Sequence, residues 1–261
     1  KKPDTNVDEL IALADKYSDK YYRGEEVDYD KAFALYSEAA AKGSIYAQAC
    51  LGLCYVQGKG VEEDEQKGFA LIKESAEKGN AEAWFCLGKC YYYGEGVEKD
   101  YVEAVKWYRK SAEQGNSKAQ NNLGVCYADG EGVEKDYVEA VKWYRMSAEQ
   151  GNYVAQNNLG NRYYNGEGVD KDYVEAVKWY RKSAEQGNST AQNKLGNCYY
   201  NGEGVEKDYV RAVKWYRKSA EQRNSAAQYI LGVCYYNGYG VEKDYAEAVK
   251  WYRKSAEQRN S

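Results

Sequence analysis

Asp100 to Asn116 read DYVEAVKWYRKSAEQGN, and nearly the same string returns at Asp136 (DYVEAVKWYRMSAEQGN), Asp172 (DYVEAVKWYRKSAEQGN), Asp208 (DYVRAVKWYRKSAEQRN) and Asp244 (DYAEAVKWYRKSAEQRN). Trp107, Trp143, Trp179, Trp215 and Trp251 mark the period, which is 36 residues. Two weaker copies begin at Asp28 (DYDKAFALYSEAAAKGS) and Asp64 (DEQKGFALIKESAEKGN), with Leu35 and Leu71 at the tryptophan position. Seven copies of one unit therefore fill the chain, and a repeat of this length signals an array of stacked supersecondary units.

Within one unit, Ala119, Leu123, Gly124 and Tyr127 fall at helical spacing, as do Ala104, Val105, Tyr108, Ser111 and Ala112. Each unit thus reads as two amphipathic helices. Gly130-Glu131-Gly132-Val133 separates the first from the second, Asp136 stands where an N-cap belongs, and Gly151-Asn152 stops the second helix. A lone helix pair cannot bury its apolar stripe, whereas stacked pairs can, so stability resides in the interfaces between units.

The pattern A-x-x-x-L-G-x-x-Y-x-x-G-x-G-V-x-x-D-x-x-x-A-x-x-W-Y, which runs from Ala119 to Tyr144, resembles the Sel1-like repeat, a longer relative of the tetratricopeptide repeat. The resemblance covers essentially the whole chain. It implies an all-α, right-handed α/α superhelix, a solenoid of seven helix-turn-helix repeats whose first helices line a concave face. It also implies an adaptor role of the kind such proteins play in signalling, protein quality control, secretion and host interaction. On this reading residues 1–261 form a single solenoid, with repeat 1 at 6–42 and the others at 44–78, 80–114, 116–150, 152–186, 188–222 and 224–261. The first helix, roughly Val7 to Tyr22, lacks the Leu-Gly pair, and the loop from Gly24 to Asp28 is two residues short, as expected of a polar capping unit. At the other end the last helix is as apolar as its inner copies, which points to a fragment of a longer array or to a face that packs on another molecule, end-to-end self-association included. Arg223 and Arg259 replace the glycine that ends earlier helices, so those turns are expected to differ.

Composition narrows the function. The 261 residues include 37 basic and 41 acidic side chains, net charge −4, mixed along the chain without a basic stripe, which argues against a nucleic-acid partner. No apolar run approaches a membrane span, and Lys1 to Asn6 lack the apolar core of a signal peptide. There is no histidine, so the commonest general base and metal ligand are both missing. Some relatives of the resembled family are linked to β-lactam binding or hydrolysis. The single S-x-x-K, Ser75 to Lys78, ends a second helix whose other copies mostly read SAEQ, and neither S-D-N nor K-T-G occurs. The Gly94-Glu95-Gly96 loops join two helices and carry no calcium-ligand spacing. The reading is of a protein with no catalytic role, no cofactor and no metal.

Cys54, Cys90, Cys126, Cys198 and Cys234 share one column of the repeat, with Arg162 in the remaining place, while Cys50 and Cys86 share another. Stacked equivalents should lie about 8–10 Å apart, beyond disulfide reach, so free core thiols are expected and a reducing, cytoplasmic compartment is favoured over the periplasm. For Arg162 the expectation is a head that reaches solvent on a long stem. The tryptophans should pack against the next unit, with an aromatic row open to ligand as the second reading. Trp84 replaces a glutamine found at Gln48, Gln120, Gln156, Gln192 and Gln228, and could widen the core or cap a pocket.

Columns that vary inside an otherwise constant helix point to recognition. On the first helices these are Ala49, Phe85, Asn121, Asn157, Asn193 and Tyr229; Leu53, Lys89, Val125, Asn161, Asn197 and Val233; and Val56, Tyr92, Ala128, Tyr164, Tyr200 and Tyr236. They succeed one another at i, i+4 and i+7, so one helix face carries all three. By the resemblance that face is concave, and Asn121, Asn157, Asn161, Asn193 and Asn197 beside Tyr164, Tyr200 and Tyr236 suit a peptide backbone or protein partner, since an amide both donates and accepts and a phenol gives contact area at low entropic cost. Drift on a solvated face is the competing explanation. The competing role is that of an inhibitor or immunity-type protein wrapping one folded partner.

Overall fold

The computed structural model describes residues 6–18 and 27–258. Those residues form fourteen helices and no strands: α1 (Val7–Ser18), α2 (Tyr29–Ala41), α3 (Ile45–Gln57), α4 (Glu65–Glu77), α5 (Ala81–Tyr93), α6 (Tyr101–Glu113), α7 (Ser117–Asp129), α8 (Tyr137–Glu149), α9 (Tyr153–Asn165), α10 (Tyr173–Glu185), α11 (Ser189–Asn201), α12 (Tyr209–Glu221), α13 (Ser225–Asn237) and α14 (Tyr245–Glu257). The chain is all-α, a succession of helical hairpins, as the repeat predicts. Residues Tyr21 and Tyr22, the short loop from Gly24 to Glu26, and Arg259 lie outside the described residues. Two compact units can be distinguished, Lys1–Asp136 and Tyr137–Ser261.

Caps set the helix boundaries. Asp28, Asp64, Asp100, Asp172, Asp208 and Asp244 each accept a backbone N–H two or three residues on, satisfying an orphan donor of the second helix. The residue following the inter-repeat glycine does more than stop a helix: Ser44, Asn80, Asn116, Asn152, Asn188 and Asn224 cap the first helix of the next hairpin in the same way. At the inner turn, Gly94, Gly166 and Gly202 sit in the left-handed region and donate to the carbonyl four residues back.

The second glycine of each G-x-G has a different job. A Cβ at Gly204 would stand 2.1 Å from the Tyr173 carbonyl oxygen, and one at Gly132 would stand 2.1 Å from that of Tyr101. In each case the loop is pressed against the start of the preceding hairpin's second helix. Inside a hairpin the Leu-Gly pair plays a similar part, since a Cβ at Gly160 or Gly196 would lie 2.6 Å from the ring of Tyr180 or Tyr216. Each tyrosine therefore lies flat on the first helix, buried, with its hydroxyl carried past it.

The core of the second unit combines Ala176, Val177, Tyr180, Leu195, Cys198, Val213, Tyr216, Leu231 and Cys234 with Trp251; that of the first gathers Leu10, Ala14, Tyr36, Ala47, Cys50 and Cys54. All seven cysteines are free and buried. Several buried polar side chains are paired with backbone carbonyls of the preceding helix. Gln120, Gln156, Gln192 and Gln228 donate to the carbonyls of Ala112, Ala148, Ala184 and Ala220 at 3.0–3.1 Å. Trp84 takes over the glutamine's donor role, its indole N–H donating to Ala76 O at 2.9 Å. Arg145 and Arg181 reach forward to the hydroxyls of Tyr163 and Tyr199 at 2.5 and 2.8 Å.

Two expectations are corrected. Arg162 does not send its head to solvent: its side chain is 17% exposed, pairs with Glu167 at 2.7 Å and lies over the Tyr137 ring at 5.1 Å. The position faces the packed interior, so the charge is neutralised there. The turn at Arg223 also does not differ. Arg223 takes φ +65, and Asn224 N–H donates to Ser219 O at 3.2 Å, as Asn188 does to Ser183 at the glycine turn before it.

Candidate functional site

The varying columns fall into two groups, one in each unit. In the first, Phe85 is buried with its ring 6.1 Å from that of Tyr108, which removes it from the surface. Asn121 is also buried and donates to Asn122 Oδ1 at 3.2 Å. Lys89 and Val125 are half-buried. Tyr92 donates to Glu131, a carboxylate in the next hairpin's loop, and this contact together with burial pushes its phenol up.

In the second unit the structure brings the predicted amides together on α9 and α11. Asn161 Oδ1 accepts from the Tyr180 hydroxyl at 2.9 Å and from Lys194 Nζ at 2.7 Å, joining the two first helices. Asn197 Oδ1 accepts from Tyr216 OH at 2.8 Å. These two oxygens are thus held by tyrosines of the second helices, reaching past Gly160 and Gly196.

Asn157 and Asn193 behave in the opposite sense. Asn157, 8% exposed, donates to Asn158 Oδ1 at 3.4 Å, but its own Oδ1 is buried without a hydrogen-bond partner, and so is Asn193 Oδ1. A buried acceptor left unmade costs on the order of 1–3 kcal/mol, so such atoms need an explanation. Tyr164 donates to Glu203 of the next loop at 2.8 Å, and burial followed by that carboxylate raises its phenol. Tyr200 packs edge-on against Tyr239 at 5.9 Å. Tyr229 and Tyr236 are exposed, their rings 5.5 Å from Tyr252 and 5.2 Å from Tyr245.

Lys194 is the residue that the column reading missed. It sits beside Asn193 in a column that runs Cys50, Cys86, Asn122, Asn158, Lys194, Ile230 and varies as freely as the three chosen. Its ammonium is half-buried over the Tyr180 ring at 5.7 Å, and burial, then the nearby Arg162 guanidinium, hold its pKa below the ordinary value.

Other features are accounted for by packing. Trp179 and Trp251 are buried, and lysine ammonium groups lie 4.3 and 4.5 Å over their rings. Ser75 is fully buried and donates to Leu71 O at 2.9 Å. Among the described residues no group of three or more Cys, Asp or Glu is placed to hold a metal ion, and no helix is long and apolar enough to cross a membrane.

Tandem helical hairpins with a polar, variable face on their first helices define a repeat-scaffold protein. The chain belongs to the Sel1 repeat family, whose model matches residues 12–44, 45–80, 85–116, 117–152, 154–188, 189–224 and 225–260. Among solved structures it is similar to a protective antigen of uropathogenic Escherichia coli strains that displays an SLR fold (39% identity, TM-score 0.75), over 98% of this chain and 54% of that one. The chain thus spans about half the length of that antigen. A Sel1 repeat protein from Oxalobacter formigenes is 35% identical with a TM-score of 0.77, covering 96% of this chain and 97% of its own. An immunity protein from Pseudomonas aeruginosa shares the fold at 18% identity and a TM-score of 0.57, over 99% of this chain and 84% of its own. No curated protein matches the chain.

Proposed function

We propose that this protein is a non-catalytic scaffold that binds an extended segment of another protein along the first-helix face of its second unit. The observation that carries this reading is the row of varying amides Asn157, Asn161, Asn193 and Asn197, one turn and one repeat apart on one first-helix face. A peptide backbone alternates N–H donors and C=O acceptors, and an amide side chain can pair with both. The amide nitrogens of Asn161 and Asn197, whose oxygens are held by tyrosines, would supply donors for backbone carbonyls, and Tyr229 and Tyr236 of α13 give exposed aromatic area.

The test is selection of a random peptide display library on the wild-type chain, followed by fluorescence anisotropy of the enriched peptides. The comparison is an Asn157→Ala, Asn193→Ala double variant shown by circular dichroism and urea melting to fold alike. Enrichment with affinity lowered tenfold or more in the double variant supports the reading. Failure to enrich any peptide, or equal affinity for both proteins, overturns it and turns attention to the loops, where a folded partner of the kind an immunity protein takes would engage.

A further inference from the structure

We propose that the bound segment carries an internal acidic side chain, and that its carboxylate seats on Lys194 Nζ between α9 and α11. This rests on the reading just given and adds the chemistry of the ligand. The argument begins with what Lys194 lacks. Lys142, Lys178 and Lys250 each pair with the glutamate three residues before them, at 2.7, 2.5 and 2.8 Å. In the first unit Lys118 meets Glu82 at 3.3 Å. Lys194 donates to a neutral amide, Asn161 Oδ1, at 2.7 Å, and among the described residues no carboxylate pairs with it. An ammonium has three donors, so this contact leaves two N–H groups on a half-buried cation, and a buried charge is stable when it is paired and hydrogen-bonded.

The neighbouring charges leave the position open to an anion. Arg162 stands close but is neutralised by Glu167 at 2.7 Å, and Glu203, the acidic group at the rim, is held by Tyr164 at 2.8 Å and Asn201 at 3.3 Å. Glu203 keeps its charge, because its partners are neutral, and Lys194 is the cation on this part of the face with which no carboxylate pairs among the described residues.

The same face decides between anions. A phosphodiester or free phosphate presents acceptors only. A peptide offers both donors and acceptors to the amides and phenols of the face, and a carboxylate for the lysine. Stacked hairpins lie about 8–10 Å apart and an extended chain rises roughly 3.3 Å per residue, so about three residues of ligand span the step from α9 to α11.

The test uses two degenerate pools of fluorescent, C-terminally amidated nonapeptides, one with Asp or Glu at the central position and one with Asn or Gln there, titrated by anisotropy at low and moderate salt. The acidic pool is expected to bind the wild-type chain about tenfold more tightly, with a preference that shrinks as salt rises. That preference should fall within twofold in Lys194→Gln and persist in Lys194→Arg, both checked for fold by circular dichroism. Equal binding of the two pools overturns the acidic assignment while leaving peptide binding intact. So does a preference that survives Lys194→Gln, or binding that appears only when the pools carry a free C-terminal carboxylate. Failure of every pool to bind overturns both this inference and the reading beneath it.

Discussion

Replacing Gly204 by alanine should cost the protein far more than replacing Gly187, although both glycines occupy the left-handed region, at φ +71 and +94. At Gly187 an added Cβ meets nothing within 4 Å, so the cost is conformational. A left-handed L-residue costs about 1–2 kcal/mol, and the stiffer unfolded chain returns about 0.4–1 kcal/mol, leaving a net loss of about 0.5–1 kcal/mol. At Gly204 the same sum applies, but the Cβ would also lie 2.1 Å from Tyr173 O, 2.4 Å from its carbonyl carbon and 2.8 Å from Val174 N. Backbone atoms at a helix start cannot rotate away, so the loop must lift off, and overpacking of this kind adds about 1–3 kcal/mol. The expected difference between the variants is therefore roughly 2 kcal/mol. With a urea slope of about 2–3 kcal/mol/M, it separates their unfolding midpoints by roughly 0.7–1 M, read by circular dichroism at 222 nm. Equal midpoints would refute the reasoning, since they would mean that both glycines serve backbone conformation alone. The chain already contains one half of the experiment: Arg223 occupies the column of Gly187 with its turn intact, whereas the second glycine of the G-x-G is kept in all six repeats that follow another hairpin.

Three further outcomes follow from the packing. Trp84→Phe removes the donor to Ala76 O and should lower stability by about 1–2 kcal/mol, seen as a lower urea midpoint; an unchanged midpoint would mean that the indole N–H is dispensable. Arg162→Cys restores the residue of its column and removes a partly exposed ion pair with Glu167, so it should change stability by no more than about 1 kcal/mol, and a clear loss on thermal melting would show that the pair is needed. Burial pushes the Cys90, Cys126 and Cys198 thiols up to about 12 and the Cys54 and Cys234 thiols up to about 11, from an ordinary 9.0. Groups with raised folded values support the fold fully below pH 9 and withdraw that support as pH rises towards 11–12. Urea midpoints should therefore fall over that interval, and an aromatic disulfide reagent at pH 8 should label none of the seven cysteines until denaturant is added; rapid native labelling would contradict their burial.

The hairpins were legible in the sequence because every element of the repeat acts locally. Asp100 caps its own helix, Gly94 closes its own turn, and the 3.6-residue periodicity of Ala104, Tyr108 and Ser111 names the buried face without reference to any other unit. The site was legible only as a set of columns. Whether Asn161 and Asn157 offer the same atoms depends on groups far away in the chain. Tyr180 reaches Asn161 because Gly160 lets its ring lie on α9, and no equivalent hydroxyl partners the oxygen of Asn157 four residues earlier. Two asparagines on one helix face thus differ, one with its oxygen held by a tyrosine and a lysine and the other with its oxygen buried and unpartnered. Lys194 shows the same limit from the other side. In sequence it is one more lysine among many, and its distinction arises only when α11 meets α9 at the amide of Asn161, whereas second-helix lysines such as Lys178 pair with a glutamate of their own helix. Repetition hides this, because identical helices suggest identical surfaces. On the reading proposed above, recognition falls to the few positions where a constant scaffold leaves a polar group without its partner, and those are set by contacts between repeats.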